Sequence, residues 1–113
     1  MRRALRELGA EEREALGAVP VEVDEIPRMA DLTAVDPPLS PSILGLFRGP
    51  PRGEPCLPSD GAPCRSIVLY RRNLVRFARD PEELRAEVRV TLLHEIGHLL
   101  GQSDERLRSR GLE

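Results

Sequence analysis

"HEIGHLLGQSD", residues His94 to Asp104, holds both histidines of a 113-residue chain within five consecutive positions. A glycine, Gly101, and an acid, Asp104, follow at three-residue steps. Two readings compete for this stretch. In one it is a metal site with a catalytic carboxylate; in the other it is a buried helix end whose histidines are satisfied by ordinary hydrogen bonds.

The residues upstream decide the local structure. "DPEE" puts Asp80 at a helix N-cap, Pro81 at the first helical position and Glu83 where a capping box wants it. From there to Leu100 no further proline occurs and the one glycine is Gly97, which predicts a helix over 81–100. At 1.5 Å per residue such a helix is about 30 Å long. Val88, Leu92, Ile96 and Leu99 line one side and Ala86, Val90, Leu93 and Leu100 another, so the C-terminal half is expected to be buried. A polar column, Glu87, Thr91, His94 and His98, interrupts this apolar surface.

Positions i and i+4 lie one above the other on a helix. His94 and His98 can therefore direct imidazole nitrogens at one ion, at about the 2.0–2.1 Å of a zinc–nitrogen bond. Glu95 points beside that ion, where a carboxylate can take a proton from activated water. Gly101 lets the chain reverse, which brings Asp104 back as a third ligand and leaves a fourth place for water. Burying two imidazoles and a carboxylate without partners is costly, and that weighs against the metal-free reading.

Outside this helix the chain reads as short elements. Residues 2–17 are predicted helical with a break at Gly9, and "VPVEV" (Val19–Val23) alternates like a half-buried strand held near an edge by Pro20. "ILGLF" (Ile43–Phe47) and "SIVLY" (Ser66–Tyr70) read as buried strands, and "LVRFA" (Leu74–Ala78) as a turn or two of helix. A short helix from about Asp104 to Arg110 is expected to close the chain. Cys56 and Cys64 lie in the Pro/Gly-rich "GPPRGEPCLPSDGAPCR"; in a reducing compartment they are expected as free thiols rather than a loop-closing disulfide.

Composition narrows the function classes. The length suits a single domain over residues 1–113, and 32% charged with 40% hydrophobic residues suits a soluble globular protein. A net charge of −2 argues against a nucleic-acid partner. No run approaches the roughly 20 apolar residues that span a bilayer, and "MRRALRELGAEERE" does not read as a signal peptide. A cytoplasmic protein without membrane contact is expected.

The motif and three upstream segments, "VPVEVDEIP", "ILGLFRG" and "IVLYRRNL", together resemble the small bacterial zincin-like metallopeptidases with the pattern His-Glu-x-x-His-x-x-Gly-x-x-Asp. The resemblance runs from about Leu5 to Leu112. It implies a compact α+β fold, with a small mixed sheet of three to four strands packed on the active-site helix. It also implies Zn²⁺ held by His94, His98 and Asp104, with Glu95 as general base and Gly101 as the turn. The larger metzincin-type proteases carry a third His where this chain has Asp104, and continue into a methionine-containing turn; here the methionines are Met1 and Met29.

Zinc-dependent hydrolysis of peptide bonds in a peptide or protein substrate is the leading expectation. The alternatives are a zinc-containing binding or regulatory module with little catalysis, a metal-dependent ribonuclease, and a metal-free structural protein. In zincins substrate lies along a sheet edge above the active helix, and Ser66–Tyr70 is the strand expected there, with an ordinary core strand as the alternative. Tyr70 is a candidate oxyanion donor, though packing explains it better. Arg71, Arg72, Arg76 and Arg79 could attract an acidic substrate or form a solvated face. Glu87 and Thr91 are candidate hydrogen-bond supports for the metal ligands.

Overall fold

The computed structural model describes residues 5–57 and 63–101. In chain order the elements are α1 (Ala10–Leu16), β1 (Val21–Asp24), α2 (Met29–Leu32), β2 (Gly45–Arg48), β3 (Ser66–Tyr70), α3 (Arg71–Phe77) and α4 (Pro81–Leu99). Gly9 is the N-cap of α1, where the sequence predicts the break. The expected helix beyond Asp104 lies outside the described residues. No helix among the described residues is long and apolar enough to cross a membrane.

The strands form a mixed sheet in the order β1-β3-β2, with β1 parallel and β2 antiparallel to β3. An unbroken apolar run belongs where both faces are covered. β3 is such a run, and all five of its residues are buried. Its side chains alternate between two environments. Ile67 and Leu69 join Leu74, Leu92 and Ile96 in the core beneath the sheet. Val68 and Tyr70 face the other way and are also fully buried.

That second face is closed by charge pairing. Arg48, at the end of β2, makes a bidentate contact with Asp31 of α2 (3.1 and 2.7 Å) and reaches Glu22 at 3.4 Å. Burial, with the negative charges of Asp31 and Asp24, pushes the Tyr70 phenol above its ordinary pKa, so the side chain is neutral at physiological pH. Packing is the reading of Tyr70 that stands.

The long helix follows the sequence closely. The Asp80 carboxylate accepts a hydrogen bond from the Glu83 amide (2.7 Å), and Pro81 opens the first turn. Thr91, Leu92, Glu95, Ile96, Gly97 and Leu99 are buried, so the C-terminal half is covered as its apolar sides require.

The expectation of free thiols is overturned. Cys56 and Cys64 are paired as a disulfide, with Cα atoms 5.9 Å apart, inside the usual bonding range. The misreading came from the assumed reducing compartment, because nothing in local sequence reports the distance between two cysteines. At a separation of eight residues, chain entropy assigns such a crosslink about 2–3 kcal/mol. Replacing both cysteines with serine should lower unfolding stability by about that amount. Thiol titration of denatured, unreduced protein should find none free at these two positions; two reactive thiols per chain would contradict the pairing.

Candidate metal centre

His94, Glu95 and His98 lie in the last turns of α4. The helix end that holds them is fixed from two directions. Gly101, at φ +78°, donates its amide to the His98 carbonyl (2.9 Å), a left-handed conformation that favours glycine. From the loop after β2, the Arg52 amide donates to the Leu99 carbonyl (2.6 Å). That loop is itself clamped by Arg65, whose guanidinium donates to the carbonyls of Pro50, Pro51 and Glu54 at 2.7–3.0 Å.

The Nε2 atoms of His94 and His98 stand 3.0 Å apart. One ring can donate to the other at this distance. It is also near the separation of two tetrahedral zinc ligands, roughly 3.3 Å for bonds of 2.0–2.1 Å. Two converging imidazoles are an ordinary zinc donor set, so these residues fit the ion. Glu95, 7% exposed, lines the same cleft beside both histidines. Among the described residues no group of three His, Cys, Asp or Glu side chains converges on one point. The expected third ligand, Asp104, lies outside them.

The cleft above the histidines has a volume of about 490 Å³. Its wall is β2, through Gly45, Leu46 and Phe47, with Leu39 and Ile43 before it and Gly49 and Pro51 after it. This corrects the expectation that Ser66–Tyr70 is the substrate edge. β3 is the central strand, hydrogen-bonded on both sides, and has no edge to offer. The distinguishing signal was present in the sequence. An uninterrupted Ile-Val-Leu-Tyr suits burial on both faces, whereas Gly-Leu-Phe-Arg, with glycine and a charge, suits an edge.

The direction of the β2 backbone follows from one hydrogen bond. Tyr70 donates its amide to the Leu44 carbonyl (3.0 Å), so the backbone groups of Leu44 face β3. In an antiparallel pair that direction alternates residue by residue. Leu46 and Arg48 therefore also face β3, and the N–H and C=O groups of Gly45 and Phe47 turn away from it, to the side on which no strand pairs among the described residues. Ile67, opposite Phe47, donates away from β2 to the Pro20 carbonyl (2.9 Å), as the same alternation requires.

Gly45 also sets how closely this edge approaches the helix. A Cβ there would lie 2.6 Å from Thr91 Cγ2 and 3.1 Å from the Val68 carbonyl oxygen. Gly45→Ala should force β2 from α4 and lower stability by about 1–3 kcal/mol, read from the denaturation midpoint. An unchanged midpoint would contradict so close an approach. Thr91 is buried and lines a smaller adjoining cavity with His94 and Glu95; Glu87, one turn earlier, is half-buried.

The arginines sort differently from one another. Arg71 and Arg72 pair with Glu25, whose carboxyl the Arg71 hydrogen bond holds below its usual pKa, and Arg79 pairs with Glu83. These are exposed pairs on a solvated face, as the second of the two readings has it. Residues 16–112 match the family model described as Zincin-like metallopeptidase. Among curated proteins there is no match.

Proposed function

Because the chain belongs to the zincin-like metallopeptidase family, we propose that it is a zinc-dependent peptidase hydrolysing peptide bonds in an extended substrate. The observation that carries this reading is the convergence of the His94 and His98 Nε2 atoms at 3.0 Å, with Glu95 beside them under an open strand edge. His94 and His98 would hold the metal, and Asp104 is assigned as the third protein ligand. Zinc bound there supplies Lewis acidity, polarising the substrate carbonyl and lowering the pKa of water.

The chain's own residues do the rest. The outward amide and carbonyl groups of Gly45 and Phe47 pair with the substrate backbone as an added strand. This sets the scissile carbonyl above the helix, and the Leu46 and Phe47 side chains flank it on the two faces of that strand. Glu95 takes a proton from the attacking water and passes it to the departing amine. Burial keeps its carboxylate out of bulk solvent, so its charge acts more strongly on the reacting atoms than it would in water.

Incubation with an unfolded protein, followed by mass spectrometry of the fragments, tests the reading. Cleavage should occur, stop on chelation and return on adding zinc. A fully zinc-loaded protein that cleaves nothing across a broad peptide library would contradict it and favour a zinc-holding binding module.

A further inference from the structure

The catalytic cleft does not end at His94. The smaller cavity beside it, about 230 Å³, is lined by Ile43, Leu44, Gly45, Thr91, His94 and Glu95. Ile43 and Leu44 in turn line a third hollow of about 430 Å³, completed by Ser42, Asn73, Arg76 and Phe77. The shared lining residues set the three hollows side by side, as a groove from the histidines past the start of β2 to α3. Its wall is held firmly at the join, where the Asn73 amide donates to the carbonyls of both Pro41 and Ile43 at 2.8 Å.

Arg76 gives the far end its charge. Its neighbours Arg71, Arg72 and Arg79 are matched by Glu25 and Glu83, whereas Arg76 stands in the groove wall beside Phe77, an aromatic ring 56% exposed. A guanidinium over an apolar floor suits a carboxylate carried on an extended chain. A strand paired with Gly45 and continuing past Ile43 would bring one there. We infer that Arg76 is a specificity-determining residue, reading a carboxylate of the peptide substrate at a fixed distance from the scissile bond. The carboxylate is either an acidic side chain or a free C-terminus. The inference rests on the peptidase reading above and names the substrate class that reading leaves open.

The test uses quenched fluorescent peptides in which one residue, Glu or Gln, is walked along the sequence, each with a free or an amidated C-terminus. An exposed Arg–carboxylate pair contributes up to about 1 kcal/mol, or about fivefold in KM. Wild type should show one position, or the free C-terminus, at which the carboxylate lowers KM by about two- to fivefold with kcat unchanged, an effect that shrinks in high salt. The preference should vanish in Arg76→Gln and reverse in Arg76→Glu, while Arg89→Gln, an exposed change on α4, keeps it. Equal KM for charged and neutral peptides throughout, or a preference that survives in Arg76→Gln, would overturn the assignment while leaving the peptidase reading intact. No turnover of any peptide by the zinc-loaded wild type would overturn both.

Discussion

Glu95→Gln is expected to abolish most of the hydrolytic activity while sparing the fold and the metal. The amide matches the carboxylate in size and keeps some hydrogen bonding in a position only 7% exposed, so packing against the last turns of α4 survives. It cannot accept a proton from water. General-base catalysis contributes about 10²–10⁴-fold, so turnover of an unfolded protein should fall by at least about 100-fold with zinc content and melting temperature close to wild type. Equal turnover in the variant would remove Glu95 from the mechanism. A loss of zinc in step with activity would instead make it a ligand.

His94→Ala and His98→Ala should act one stage earlier. Each removes one of two imidazoles whose Nε2 atoms converge at 3.0 Å, and under the proposed ligand set would leave the ion two protein ligands. Zinc should be lost on gel filtration without added metal, and hydrolysis with it, because three protein ligands are the usual complement of a catalytic zinc site. Asp104→Ala should weaken zinc binding in the same way, whereas Glu105→Ala should not, because the motif spacing assigns residue 104 as the third ligand. If Glu105→Ala were the variant to lose the metal, the turn would have been assigned one residue short.

The parts of this account that local sequence could carry were those set by spacing within one element. Asp80, Pro81 and the absence of breakers delimit α4 because capping and helix propagation act over a few residues. The same periodicity places His94 and His98 together. "SIVLY" is a strand at the expected bounds.

What local sequence could not carry was set by contacts distant in the chain. The unbroken apolar run of β3 suits a central place, but only the pairing of both β1 and β2 with it leaves β2 as the edge. Pairing order depends on tertiary packing that propensities do not encode. Arg48 finds Asp31 across 17 residues, and Cys56 finds Cys64 across a loop. The pairing of Arg71 and Arg72 likewise emerges only when Glu25 is folded against α3, whereas Arg79 and Glu83 are a local i,i+4 pair.

The central claim is that His94 and His98 are metal ligands rather than two imidazoles satisfied by each other. Elemental analysis of protein purified without added zinc, reported per chain, tests it most directly. The account predicts about one zinc per wild-type chain and far less in His94→Ala and His98→Ala. A wild-type protein that takes up no zinc even when it is supplied, or one whose zinc content is the same in both histidine variants, would contradict it.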